Sequence, residues 1–371
     1  MKKIGFCIIV KDESHVIERC LNSVKPIIDW VQIVDTGSSD NTIKTIESWL
    51  ENNNIKGEII SEPWQNFAYN RSFALEKLRD KEWIDYALMI DADEILTYSE
   101  GFSVEDFKNQ LDLDYYDIQT VMGSHLYNRP QLTSNKKPFR YVGVVHEFLD
   151  LSIGGSRGFL EGIKNNPIQD SNRNRSGNKF LRDIELLEDA ISKEEKGNWI
   201  SSRYMFYLAQ SYRDSGNIEK SLECYLKRAD MGYWNEEQYV SLFNAANMMR
   251  DLGYTKEDVI QTFLRGNELI PYRVECLYGA LYTCRINALH HQGYMIGKQA
   301  ITIQIPRDSL FIESWMYNYG VLDEFSIVSF WSKNYLDSKS ACEKLLNENR
   351  LPTHYIPRVQ QNLQYSIDRL G

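Results

Sequence analysis

Several things are missing from this 371-residue chain. Its six cysteines, Cys7, Cys20, Cys224, Cys276, Cys284 and Cys342, are scattered, with no Cys-x-x-Cys pair and no histidine at zinc-finger spacing. That pattern excludes a disulfide scaffold and a structural zinc site, and the expected setting is a reducing, cytoplasmic one. An excess of positive charge is also missing. With 42 Lys and Arg against 52 Asp and Glu the net charge is -10, so unaided attraction to nucleic acid or an anionic membrane is not expected. No apolar run reaches the roughly 18 residues of a membrane span. The start, Met1-Lys2-Lys3 followed by Ile4 to Val10, imitates a secretion signal, but Lys11-Asp12-Glu13 cuts the apolar run short. It reads better as a buried first strand. What is present is 43% hydrophobic and 25% charged residues, enough for two or three folded domains.

Up to residue 153 short apolar runs alternate with amphipathic stretches, the pattern of a Rossmann-like, mainly parallel sheet covered by helices. Strands are expected at Ile4 to Val10, Trp30 to Asp35, Glu58 to Ser61 and Tyr86 to Asp91. Helices are expected near His15 to Val24, Asn41 to Asn53 and Asn70 to Arg79. Tyr116 to Val121 and Phe139 to Val145 follow as further strands, with Asn128-Arg129-Pro130 read as loop between them. Residues 154 to 182 are rich in Gly and Asn and read as a loop or linker. From 183 to 371 Leu, Tyr, Ala and Met recur at helical spacing. Leu208-Ala209, Tyr212, Gly216 and Tyr225 are echoed by Ala245-Ala246, Met249, Gly253 and Phe263, as in tetratricopeptide-type helical hairpins. An irregular helical bundle is the alternative.

In an open α/β sheet, ligands collect at the carboxyl ends of the strands. Two strands end in acid: Val34-Asp35-Thr36-Gly37-Ser38-Ser39-Asp40 and Met89-Ile90-Asp91-Ala92-Asp93-Glu94. An aspartate after a buried strand carries a desolvation cost unless something binds it. The Asp-Ala-Asp spacing puts Asp91 and Asp93 on the same side of an extended segment, so both can face one cation. Oxygen ligands favour Mg²⁺ or Mn²⁺, which would offset charge on a departing diphosphate. The plainer readings are helix capping for Asp35 and Asp40, a surface arginine at Arg71, a core histidine at His146 and an exposed Glu94.

Four segments taken in order carry a more specific signal. They are Ile8-Ile9-Val10-Lys11-Asp12-Glu13, Asp35 to Thr42, Asn70-Arg71-Ser72-Phe73-Ala74-Leu75 and Asp91-Ala92-Asp93-Glu94. Together they resemble the motifs of family-2 glycosyltransferases with a GT-A fold. Arg140 to Glu147, Lys179-Phe180-Leu181-Arg182-Asp183 and Arg203 to Tyr212 resemble the branch with fused tetratricopeptide-type helices. The resemblance implies that Val10, Lys11 and Glu13 border the nucleotide base and that Asp35 holds uracil or ribose. It implies that Arg71 approaches the base or diphosphate, and that Asp91 and Ala92 lie at the nucleotide sugar. It makes Asp93 the principal metal ligand, joined by Asp91 and by His146 on the acceptor side. Asp12 departs from the family's frequent Asn and is only a candidate contact.

Inversion at the anomeric carbon needs a carboxylate to take the acceptor proton. Glu147 is the candidate, with a structural salt bridge as its alternative and Asp150 as a substitute. Residues 151 to 182 hold six basic residues against two acidic ones, while residues 1 to 150 hold 16 basic against 25 acidic. A basic lid of Arg173, Arg175, Lys179 and Arg182 could therefore close over the donor. The expected activity is metal-dependent, inverting transfer from a nucleotide diphosphate sugar, UDP-linked by preference, to a glycan or protein acceptor. The helical half would bind a protein partner, the acceptor or a second copy of the chain. The alternatives are a non-catalytic scaffold and a nucleotidyltransferase.

Overall fold

In the computed structural model, residues 1–122, 125–172, 179–194, 198–306, 309–348 and 350–371 are described. They form two compact units, Met1–Leu186 and Leu187–Gly371. In the first, an eight-stranded sheet has the order β3 (Gly57–Ser61), β2 (Trp30–Asp35), β1 (Ile4–Val10), β4 (Tyr86–Met89), β7 (His125–Ser134), β6 (Tyr115–Met122), β10 (Arg157–Pro167), β5 (Glu94–Tyr98). Strands β1 (Ile4–Val10), β2 (Trp30–Asp35), β3 (Gly57–Ser61) and β4 (Tyr86–Met89) are parallel neighbours. Strand β1 is apolar on both sides because both its faces are covered. Ile4, Phe6, Ile8 and Val10 join one core with helices α1 (Ile17–Val24) and α2 (Thr42–Asn53). Cys7 faces the other core, with Ala74, Leu75 and Leu78 of α3 (Phe67–Arg79). That third helix starts three residues before the expected Asn70, because the Asn66 side chain caps it by accepting the Tyr69 N–H at 2.8 Å.

The other half of the sheet differs from expectation in four places. Strand β5 (Glu94–Tyr98) begins directly after the Asp-Ala-Asp segment. After the short helix α4 (Val104–Asn109) and β6 (Tyr115–Met122), β7 (His125–Ser134) takes in Asn128-Arg129-Pro130, which had read as loop. Pro130 is tolerated because the β6 to β7 register slips beside it, between Tyr116 and Asp117. Phe139 to Val145 yields only the two-residue β8 (Tyr141–Val142), paired with β9 (Phe148–Leu149) outside the main sheet. The stretch from 154, taken as loop, instead contains the 11-residue strand β10 (Arg157–Pro167), inserted between β6 and β5. Its alternation is broken by a bulge between Leu160 and Lys164, where Gly162 adopts φ 77°. Leu160 and Ile163, three apart, are therefore both buried in one core, which disguises the strand period.

Helix α5 (Lys179–Lys193) runs across the boundary between the units. The second unit continues with α6 (Trp199–Asp214), α7 (Ile218–Asp230), α8 (Asn235–Asp251), α9 (Lys256–Leu269) and α10 (Glu275–Ile286). Then come α11 (His290–Ala300), α12 (Val321–Trp331), α13 (Tyr335–Asn347) and α14 (Ile356–Asp368). From α6 onward each helix packs on the next, and α6, α8, α10, α12 and α14 also touch in sequence. This is a repeat of helical hairpins. Gly216 and Gly253, at φ 86° and 78°, end the first helix of successive hairpins, as their spacing predicts. All six cysteines are buried and unpaired. Among the described residues no helix is long and apolar enough to cross a membrane.

Candidate functional site

The loops after β1 and β2 are zipped together at the carboxyl edge of the sheet. Thr36 donates its N–H to the Val10 carbonyl at 2.9 Å, and the Glu13 N–H reaches Thr42 Oγ1 at 2.8 Å. Asp12 sits in the left-handed region at φ 55°. Its Oδ1 accepts from Ser39 N–H (2.6 Å), Ser39 Oγ (3.0 Å) and Asp40 N–H (3.2 Å). The Asp12 carboxylate is therefore engaged in holding the second loop. Asp35 turns back to accept the Ser38 N–H at 3.0 Å. Asp40 accepts from the Thr42 and Ser14 amides at 2.9 and 3.2 Å. Burial opposes its ionisation, but these hydrogen bonds prevail and hold its carboxyl at about 2.

From α3, Arg71 is 5% exposed and joins two carboxylates. Its Nε donates to Glu147 Oε1 at 2.8 Å, its Nη2 donates to Asp91 Oδ1, and the Tyr141 ring centroid lies 5.7 Å from its Cζ. Burial works against its charge, but Asp91 and Glu147 outweigh burial and push its pKa up. It is a fixed cation, not the surface arginine of the plainer reading. Asp93, 8% exposed, accepts the Ser171 N–H at 3.1 Å on Oδ2, and its carbonyl accepts the Ile168 N–H at 2.9 Å. Glu13, equally buried, accepts the Asn172 N–H at 3.3 Å on Oε2. Burial raises its carboxyl to about 7; the Asn172 bond opposes this, while Asp93, Asp91 and Asp40 add to it. The segment crossing both acids is anchored by Asp170. Arg19 grips its two oxygens at 2.7 and 3.0 Å, and His15 Nε2 meets its carbonyl at 2.9 Å.

These groups surround a cleft of about 670 Å³. Of the residues expected at the nucleotide sugar, Val10, Lys11, Glu13, Arg71, Asp91, Ala92 and Asp93 line it, together with Lys179 and Arg182 of α5. Asp35 does not line it, because its side chain closes its own turn. His146 and Glu147 are also outside the lining. His146 is exposed at the end of a turn with Gly143 at φ 102° and its own φ at 50°. Among the described residues no three His, Cys, Asp or Glu side chains gather as a metal site, so the expected trio of Asp91, Asp93 and His146 is not assembled. The carboxylates at 91 and 93 suit a hard divalent cation by their chemistry. Arg173 and Arg175 lie outside the described residues.

Two features of the site are not legible in the sequence. Glu94, expected to be exposed, is 2% exposed and bonded to Arg129. Asp183 is 1% exposed and faces the cleft from α5. Its place after Lys179 and Arg182 on one helical face was the available signal. Trp64 and Phe67 stand edge to face at 4.6 Å on the cleft wall.

The sheet, with its acidic cleft at the ends of parallel strands, is of the GT-A-like α/β class and is followed by tetratricopeptide-like helical hairpins. Residues 6–117, within the first unit, match the model of glycosyl transferase family 2. An uncharacterized glycosyltransferase of Rickettsia bellii is 41% identical over 134 residues, which is 35% of this chain and 42% of that protein. The SPbeta prophage-derived glycosyltransferase SunS of Bacillus subtilis is 27% identical over 246 residues, covering 62% of this chain and 54% of the relative. The chain thus spans about half the length of these relatives, or less. A tetratricopeptide repeat protein from Parabacteroides merdae has a TM-score of 0.39 at 15% identity, over 52% of this chain and 69% of that one.

Proposed function

We propose that the chain transfers a sugar, with inversion, from a nucleoside diphosphate donor, UDP by preference, to a glycan or protein acceptor. The observation that carries this reading is the convergence of Asp91, Asp93 and Arg71 with Lys11, Lys179 and Arg182 in one cleft, walled by Trp64 and Phe67. Asp91 and Asp93 would hold a Mg²⁺ or Mn²⁺ ion, which when bound neutralises diphosphate charge. The aromatic wall offers a flat face to a base or sugar. Arg71, paired on both sides, keeps Asp91 oriented. Lys179 and Arg182, on helix α5, offer positive charge to the diphosphate. The hairpin repeat of the second unit would present the acceptor, a protein partner or another copy of the chain.

A thermal-shift screen of nucleotides and nucleotide sugars, each with and without Mn²⁺, tests this. UDP with Mn²⁺ is expected to raise the melting temperature, since a ligand held at 100 times its Kd adds about 2.7 kcal/mol. Asp93→Ala is expected to lose the metal-dependent part of the shift. An unchanged response removes Asp93 from the site, and pyrophosphate release from a triphosphate in place of UDP release from a UDP-sugar would move the chain to nucleotidyl transfer.

A further inference from the structure

We propose that Glu94 is a positioning residue of the donor site, a buried carboxylate that fixes the Asp91-Ala92-Asp93 turn from behind. The inference rests on the reading of that turn as the donor and cation site. Glu94 and Asp91 hold each other by two reciprocal bonds. The Glu94 N–H reaches the Asp91 carbonyl at 3.0 Å, and the Asp91 N–H reaches Glu94 Oε2 at 3.1 Å. The pair therefore closes a ring around Ala92 and Asp93. Three further donors converge on the same carboxylate: Arg129 Nη1 at 2.8 Å, Asn165 Nδ2 at 2.8 Å and Gln131 Nε2 at 3.4 Å. Arg129 and Gln131 belong to β7 and Asn165 to β10, so a turn that ends the parallel half of the sheet is tied to the other half. Cys20 Sγ meets the Asp91 carbonyl at 3.4 Å, which fills the space beneath.

The arrangement is more specific than a stable core needs. A buried ionic cluster is often no more stabilising than apolar residues of the same volume, because its desolvation cost cancels much of its attraction. Its benefit is directional: Arg129 holds Oε1 while the Asp91, Asn165 and Gln131 donors share Oε2, and together they define one backbone path. Asp91 is then held at both ends, its side chain by Arg71 and its main chain by Glu94. Two neighbouring carboxylates repel, and a turn free to open would let them separate. The ring around Ala92 and Asp93 prevents that separation, so the cation and diphosphate meet a preset pair of acids. Glu94 itself does not line the cleft, so it acts through Asp91 and touches no substrate.

Two measurements on the full chain test this, with the variants Glu94→Ala, Glu94→Gln and Asn165→Ala. The first is amide hydrogen exchange across residues 91 to 94. The second is the UDP concentration giving half-maximal thermal shift in Mn²⁺. Glu94→Ala is expected to speed exchange at Asp91 and Glu94 while β1 to β3 stay protected, and to weaken Mn²⁺-dependent UDP binding by about 10-fold or more, the size usual for an outer-shell partner. Glu94→Gln keeps an acceptor for the Asp91 N–H and is expected to recover most of the affinity; Asn165→Ala should fall between. A structural role alone would lower the melting temperature without changing affinity. Unchanged exchange at 91 to 94, or wild-type UDP affinity in folded Glu94→Ala, overturns the proposal. If the wild-type chain binds no UDP while exchange still quickens in the variant, the donor reading falls and the clamp on the turn stands.

Discussion

Arg71 shows what one side chain can do when it is buried and still charged. It bridges Asp91 and Glu147, so the carboxylate nominated from sequence as the acceptor's base is already paired. Glu147→Gln releases Arg71 and is expected to raise the donor KM with a modest change in kcat. Initial rates of UDP release decide it, and a loss of kcat of about 100-fold at an unchanged donor KM, within the range for loss of a general base, returns the role of base to Glu147. Glu13 gives a pH signature. Its carboxyl stands at about 7 in the folded chain against 4.5 ordinarily, so the folded state binds more protons across that interval. Stability must therefore fall as pH rises from 4.5 through 7. Burial drives the effect, the Asn172 N–H opposes it, and Asp93, Asp91 and Asp40 add to it. Melting curves without divalent cation should show Glu13→Gln gaining on wild type between pH 5 and pH 8; a gap independent of pH would exclude Glu13 as the source.

At the scale of elements, close approach between helices is set by small residues. A Cβ on Gly279 of α10 would overlap the Phe263 ring of α9, which is fully buried. Gly279→Ala is expected to cost about 1–3 kcal/mol despite alanine's better helix propensity, read as a lower urea midpoint for the second unit. The same scale explains what the sequence disclosed. Strands β1, β2 and β4 were readable because each is a short apolar run buried on both faces. Helices α1 and α2 were readable by period, and Gly216 and Gly253 gave away the hairpin repeat. Strand β10 was hidden because its bulge at Gly162 breaks the two-residue period and its Asn and Gly content imitates loop. Strand β7 was hidden because Pro130 is tolerated only through a register slip in its neighbour. The Asp91 to Asp93 cluster was legible from its place after a strand. The burial of Glu94 was not, since its partners Arg129, Gln131 and Asn165 lie 35 to 71 residues away along the chain.

The whole molecule combines an acidic chain of net charge -10 with one cleft where Lys11, Arg71, Lys179 and Arg182 bring positive charge to an acidic floor. Such a cleft suits a small anion accompanied by a cation, and the surplus negative charge disfavours long polyanions. The thiols have a consequence of their own. Cys7 and Cys20 belong to the first unit and Cys224, Cys276, Cys284 and Cys342 to the second, and all six are buried. Burial also suppresses their thiolates. A maleimide or Ellman-type reagent can therefore modify a sulfur only when the fold around it has parted, and peptide mapping of the adducts would time the breathing of each half without any introduced label.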